Sequence, residues 1–263
     1  MNQQEILYSY NSVSIVVMLF IAIVLLNEVG FRIGRFVQSR TDSEVKSLTS
    51  SIQASILGLL ALLLGFTFSM SMQRYDNRSM ALIDEANTIG TAVLRIQLLP
   101  EEFRDEAKNL FNEYIRLRVE IGVIDLTETE ERDAYSEKIA NLQNQLWAVA
   151  ISATDADPRP ATTGAFVKSL NDVIDSQGKR NALLKMQVPE VVLMLLFIVF
   201  ISSGGIMGYS AGLSGKRMFA PIVLVSLLIT LIVFIIIDLD RPKRGLIQVD
   251  QSVMLELLNN SRK

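Results

Sequence analysis

Four long runs without a charged residue limit what this chain can fold into. They cover residues 6–27, 47–73, 191–215 and 218–237. Each run reaches the roughly 20 residues that an α-helix needs to cross the hydrocarbon core of a bilayer. A soluble domain rarely contains four such runs, and 50% of this chain is hydrophobic. The sequence therefore predicts an all-α, polytopic membrane protein whose four transmembrane helices contact the lipid bilayer.

A charged block separates the second run from the third. Its apolar residues recur at alternating steps of four and three, as in the series Phe103, Ala107, Leu110, Tyr114, Leu117 and Ile121. This spacing is typical of helices packed in a bundle. We therefore expect transmembrane helices 1 and 2 in residues 1–73, a soluble helical-bundle insertion in residues 74–187, transmembrane helices 3 and 4 in residues 188–238, and a C-terminal tail in residues 239–263.

The second run carries a repeating face that is the candidate functional site. Gly58, Leu62, Phe66 and Met70 follow one another at steps of four, which places them on one face of a helix. Such a face can pack against a neighbouring helix. Repeated around a symmetry axis, it can instead close a hydrophobic constriction in a pore. The spacing alone leaves both interpretations open.

Two further features concern how the helices pack. No proline interrupts the helical pattern where the second run ends, so we expect its helix to continue into the charged block, where it carries Glu85 and Arg95. These two side chains either line a vestibule or belong to solvated or inter-helix ion pairs. In the third run, the glycines at positions 204 and 205 allow another helix to approach closely.

The composition excludes several kinds of active site. The chain has no Cys and no His, so it contains no thiol nucleophile, thiolate metal site or imidazole base. We predict no catalytic, cofactor-binding or metal-binding site, and we expect the protein not to be an enzyme. The net charge of −3 gives no reason to expect a nucleic-acid partner. No run has a charged residue in its middle, whereas pumps and ion-coupled transporters usually need one.

Three sequence segments resemble a known family. The segment LLLGFTFSMSMQRYDNR at 62–78 resembles the pore-helix signature of bestrophin anion channels. Together with EANTIGTAVLR at 85–95 and DRPKRGLIQV at 240–249, it makes the chain similar to bacterial bestrophin-like membrane proteins, a family with a domain of unknown function. That resemblance covers most of the chain from about residue 50 onwards.

The resemblance implies a homo-oligomeric channel, a pentamer, that conducts anions such as chloride through an apolar neck. The neck residues of bestrophins correspond to Gly58, Leu62 and Phe66, and the helical period extends the same face to Met70. Gly58 departs from the pattern, because the family has a bulky residue there. We therefore expect four pore-lining residues, three from the resemblance and Met70 from the helical period.

The segment after the fourth run differs from the bestrophin pattern. Bestrophins place an acidic, calcium-binding cluster there, but this chain has Lys243 and Arg244 at the corresponding positions. Calcium binding is therefore not carried over. The nearby Asp238 and Asp240 either ligate a cation, pair with Arg241 or face water.

Orientation and function each keep two interpretations. Positive charges in the short loops slightly favour the charged block on the outside. The resemblance implies the reverse, a plasma (inner) membrane protein whose soluble domain and both termini are cytoplasmic, and we follow it. The alternative to a channel is a non-conducting membrane sensor or scaffold that acts through its helical soluble domain.

Overall fold

The computed structural model describes residues 10–217 and 219–261, and within them all regular structure is helical. The predicted all-α class is confirmed for these residues. Residues 6–9 of the first predicted span and Met218 of the fourth lie outside the described residues. The helices are α1 (Ser12–Val37), α2 (Ser43–Arg95), α3 (Glu101–Val123), α4 (Thr129–Ala156), α5 (Thr163–Lys185), α6 (Glu190–Ser214), α7 (Phe219–Asp240) and α8 (Ser252–Ser261). Short 3-10 turns follow α1 and α2 at Gln38–Arg40 and Ile96–Leu98.

The chain divides into two compact units. The apolar unit comprises the described residues of Met1–Gln73 and Gln187–Arg241, and the bundle unit comprises those of Arg74–Met186 and Pro242–Lys263. Helix α2 contributes its first part to the apolar unit and its second part to the bundle unit. It runs through 53 residues, so the predicted continuation of the second helix beyond residue 73 is confirmed.

Four helical stretches are long and apolar enough to cross a membrane. Their apolar parts are α1, the first part of α2, α6 and α7, which are the four helices that the uncharged runs predict. Helix α7 has the highest mean hydropathy of the four, at 3.1. The prediction of a membrane protein with four candidate transmembrane helices is confirmed at this level.

In the apolar unit, the backbones of helices α1 and α6 are in direct contact. A Cβ added to Gly208 would lie well under 3.0 Å from the backbone of Asn27, and Gly204 faces Ile23 in the same way. The Asn27 side chain donates a hydrogen bond of 3.0 Å from Nδ2 to the carbonyl oxygen of Gly204. The predicted close approach at the glycines of the third run is therefore confirmed, and its partner is α1.

The bundle unit has an apolar core of its own. The predicted stripe on α3 is buried or partly buried in this core. Phe111 packs edge-to-face against Tyr114 and Phe166, with ring centroids 6.4 and 6.3 Å apart. Met254 of α8 is fully buried in the same core, so the C-terminal segment packs as part of the bundle unit.

Candidate functional site

The four predicted pore-lining residues lie on an exposed face of α2 in the single chain. Leu62 is 54% exposed, Phe66 61% and Met70 47%. Gly58 is exposed too, and a Cβ added there would meet nothing within 4 Å. The opposite face is buried and carries Leu60, Leu64, Thr67 and Ser71. The four residues thus share one face that the chain itself does not cover, and their place in a neck stays a prediction.

Helix α2 is the least covered of the four candidate spans. Only 22% of its most apolar window is buried, compared with 44% for α7. The helix also exposes Leu59 beside the predicted residues, and Phe68 and Met72 on another side. Exposed apolar surface of this kind is covered by lipid or by another protein surface.

Charged residues near the end of α7 are buried inside the apolar unit. Asp238, Asp240 and Arg241 are each at most 5% exposed, so the interpretation that the two aspartates face water is wrong. Asp240 Oδ2 accepts a hydrogen bond of 2.8 Å from the backbone N–H of Val188, just before α6. Arg241 Nη1 donates to the carbonyl oxygen of Tyr10 at 2.5 Å. This network ties the end of α7 to the chain before α1 and α6.

No cluster of three or more potential metal ligands occurs among the residues that the structure describes. Asp240 instead pairs with a backbone N–H group, that of Val188 two residues before α6.

Glu85 forms a buried ion pair with two arginines in the bundle unit, which we call the Glu85 cluster. Its Oε1 lies 2.5 Å from Arg118 Nε, and its Oε2 lies 3.0 Å from Arg118 Nη2 and 2.7 Å from Arg180 Nη1. Glu85 is fully buried, and the two arginines are almost so. Of the two interpretations of Glu85, the inter-helix ion pair is confirmed. Three helices, α2, α3 and α5, meet at this carboxylate.

The neighbouring charges of α2 lie apart from this cluster. Arg95 does not pair with Glu85; its Nη1 donates to the carbonyl oxygen of Ala165 at 3.1 Å. Asp84 forms an exposed salt bridge of 3.1 Å with Lys179. The sequence thus places Glu85 and Arg95 on one helix but does not identify the partner of either.

Further cationic and polar groups surround the Glu85 cluster. Arg132 Nη1 donates to the carbonyl oxygen of Ile124 at 3.0 Å, at the C-terminal end of α3. Burial, together with the charges of Arg180, Arg132 and Arg118, lowers the pKa of Lys243 to about 7. Burial raises the pKa of the Tyr114 hydroxyl. The arrangement concentrates positive charge inside the bundle unit, and the sequence analysis did not foresee it.

Comparisons with known proteins agree with the resemblance of the sequence segments. A family model for the Bestrophin-like domain matches residues 15–254. Three solved structures of bacterial bestrophin homologue variants from Klebsiella pneumoniae are similar in fold. Their TM-scores are 0.68, 0.67 and 0.66 at 13%, 16% and 14% identity. The alignments cover 94%, 97% and 94% of this chain and 97%, 99% and 99% of those chains. No curated protein sequence matches this chain.

Proposed function

Because the chain belongs to the bestrophin-like family, we propose that it works as a homo-oligomeric ion channel that conducts anions across the plasma (inner) membrane. The observation that carries this proposal is the exposed apolar face of α2. A single α2 helix cannot enclose a conduit, whereas a ring of copies brings the same face to a common axis. By resemblance to bestrophins, that ring has five subunits.

In the proposed ring, the four residues at steps of four form successive levels of an apolar neck. Leu62 and Phe66 are the narrow levels, Met70 continues the neck, and Gly58 leaves a wider level because it has no side chain. A constriction of this kind gates by excluding water, so ions pass only when it widens or wets. No charged residue lies in the middle of a candidate span, which fits passive conduction better than coupled transport.

The same proposal assigns the remaining parts of the chain. The charged block at 74–187 is the soluble helical domain, and it lies with both termini on the cytoplasmic side, as the resemblance implies. Its charged surface supports this assignment, because exposed pairs such as Arg116 with Glu113 and Glu120 suit water rather than lipid.

The test combines a subunit count with ion flux. We expect the protein in nanodiscs to form a closed ring with Leu62 and Phe66 at its axis. In liposomes, Leu62→Ala and Phe66→Ala should raise anion flux on the order of tenfold, because each removes apolar bulk from the constriction. Phe68→Ala is the matched control, since Phe68 is an exposed phenylalanine two residues away on a different side of α2. We expect it to leave flux unchanged.

Two outcomes would contradict the channel. The first is a protein that stays monomeric in nanodiscs, or that forms a ring whose axis is lined by a helix other than α2. The second is an absence of anion flux through both the wild-type protein and the variants in liposomes. A stoichiometric partner bound to flux-free protein would instead favour a non-conducting sensor or scaffold. The observation behind that second function is the length of α2, since one helix of 53 residues belongs to both units.

A further inference from the structure

A cavity of about 380 Å³ lies between three helices at one end of the apolar unit. Its walls come from the first turns of α2, the last two turns of α6 and the first turns of α7. All of the lining residues belong to the same compact unit, so a single chain forms the cavity. Ligand sites in proteins typically have volumes of roughly 300–1,000 Å³, and this cavity is therefore large enough to hold a small ligand or the head group of a larger one.

The cavity lies at the level where the candidate spans end. Lys46 is the last charged residue before the uncharged run 47–73, and Lys216 is the first charged residue after the run 191–215. On α2 the lining extends from Lys46 to Gln53, which is about 10 Å along the helix axis. The head-group layer on each side of a bilayer is roughly 5–7 Å thick. The cavity therefore spans the head-group layer and the first part of the hydrocarbon core.

The lining of the cavity is polar in one part and apolar in another. The polar side chains are those of Lys46, Ser50, Gln53, Ser210 and Ser214, and the apolar wall includes Met207, Ile222 and Val225. Among the described residues that line it there is no aspartate or glutamate. A purely water-soluble ligand would leave the apolar wall unused, and a hydrocarbon would leave the lysine without a counter-charge. An amphipathic anion matches both parts.

The polar side chains of the cavity offer both donors and acceptors to a ligand. Within the described part of the chain, the side chains of Lys46 and Gln53 have no hydrogen-bond or ion-pair partner, so their N–H groups are available to phosphate oxygens. The hydroxyl of Ser50 donates to the carbonyl oxygen of Lys46 at 3.1 Å, and that of Ser214 donates to the carbonyl oxygen of Ala211 at 2.9 Å. Each of these two hydroxyl oxygens can still accept a hydrogen bond, which suits a ligand that carries hydroxyl groups.

The same end of the apolar unit carries more positive than negative charge. Its cationic residues are Arg32, Arg35, Arg40, Lys46, Lys216 and Arg217, and its acidic residues are Glu28, Asp42 and Glu44. Glu28 is engaged by Arg32 at 2.9 Å and by Arg217 at 2.6 Å. Basic residues close to the membrane surface attract anionic lipids, and basic pockets between transmembrane helices bind lipid head groups. The charge around the cavity therefore favours an anionic lipid as its occupant.

We propose that this cavity binds an anionic phospholipid whose head group carries hydroxyl groups. The phosphate binds to Lys46 and Gln53, the hydroxyl groups donate to the serines, and the first methylene groups of the acyl chains pack on the apolar wall. By the helical period, the lining residues of α2 lie on the side opposite the series from Gly58 to Met70. The lipid therefore lies outside the proposed neck, so the inference does not depend on conduction and its test does not use ion flux.

Native mass spectrometry of the full-length protein, stripped of lipid in mild detergent and titrated with phosphatidylglycerol, tests the inference. We expect saturable binding of one lipid per chain. Phosphatidylcholine with the same acyl chains should bind about fivefold more weakly, because it has no net charge. Phosphatidylmethanol, which has the same charge as phosphatidylglycerol but no hydroxyl group, should bind about threefold more weakly. Glycerol phosphate, the soluble head group alone, should not bind at the same concentrations, because it leaves the apolar wall uncovered.

Two pairs of variants assign the binding to the cavity. Lys46→Met should weaken phosphatidylglycerol binding about fivefold and remove the preference over phosphatidylcholine, whereas Lys216→Met, which alters an exposed lysine outside the lining, should bind as wild type. Ser50→Trp fills the cavity and should abolish binding. Its matched control is Ser51→Trp, since Ser51 is exposed and does not line the cavity.

Four results would overturn the inference. The first is equal affinity of the wild-type protein for phosphatidylglycerol and phosphatidylcholine, and the second is an equal loss in the two lysine variants. The third is wild-type binding by Ser50→Trp. The fourth is binding of glycerol phosphate as tight as that of phosphatidylglycerol, which would identify a soluble anion rather than a lipid as the occupant.

Discussion

The two units of this protein are held together in different ways. In the apolar unit, α1 and α6 meet through glycines, so that the backbone of one helix touches the backbone of the other. In the bundle unit, large apolar side chains fill the core, and a carboxylate with two arginines is buried beside them. Each mode of packing suits the surroundings that we expect for its unit. In lipid, the hydrophobic effect does not favour the association of helices, so close van der Waals contact must stabilise it.

The comparison also separates two sources of specificity. Apolar burial drives the folding of the bundle, whereas a buried ion pair contributes little net stability because desolvation opposes it. The Glu85 cluster favours the observed arrangement of α2, α3 and α5, since an arrangement that separates its members leaves a buried charge unpaired. In the apolar unit, the glycines act through shape, because a larger side chain at these positions would hold the backbones of α1 and α6 apart.

The largest effect is expected from breaking the Glu85 cluster. Glu85→Ala leaves Arg118 and Arg180 buried without a counter-charge, which should lower the free energy of unfolding by about 3–5 kcal/mol. Thermal unfolding of the purified protein measures the loss, and hydrogen exchange locates it in α2, α3 and α5.

The neighbouring residue provides the control for this change. Asp84→Ala removes a salt bridge whose two side chains are 46% and 60% exposed, and it should cost at most about 1 kcal/mol. Equal losses for the two variants would show that the ion pair is not a buried constraint, and the contrast between the units would disappear.

A smaller effect is expected from the backbone contact between α1 and α6. In Gly208→Ala, the new methyl group meets the backbone of Asn27, so the helices must separate at a cost of about 1–3 kcal/mol. Gly178→Ala is the control in the bundle unit, because a Cβ there meets nothing within 4 Å. It should stabilise α5 by about 0.5–1 kcal/mol, the usual difference between alanine and glycine in a helix. Similar shifts for both variants would contradict close packing as the special property of the apolar unit.

Much of the fold follows from patterns that are local in the sequence. Uncharged runs longer than a bilayer crossing predict the four candidate spans, and unbroken helical periodicity predicts that α2 continues past residue 73. The apolar stripe of α3 predicts which side of that helix is buried. These features depend on spacing within one helix, and a single helix determines them.

The Glu85 cluster could not be predicted because its members are far apart in the chain. Glu85 is separated from Arg118 by 33 residues and from Arg180 by 95, and periodicity does not identify the helix that a face will meet. One signal was present nonetheless. Arg118 follows Leu117 within the apolar stripe of α3, and a charge in such a stripe requires a buried partner.

The most specific effect concerns the dependence of stability on pH. The pKa of Lys243 is about 7 in the folded protein, below the ordinary lysine value of 10.5. Between these values the unfolded chain binds one more proton than the folded one, so stability rises with pH. The rise should approach about 1.4 kcal/mol per pH unit above pH 7, and the full cost of the buried charge is present below pH 7.

Unfolding temperatures between pH 6 and pH 9 measure this dependence. Lys243→Met should flatten the rise and stabilise the protein most at pH 6, because it removes a buried charge that no carboxylate pairs within the described residues. Lys179→Met alters an exposed lysine of the same unit and should keep the wild-type slope. If Lys243→Met also keeps that slope, Lys243 is not the strained charge of the bundle, and the contrast between the two units then depends on the Glu85 cluster alone.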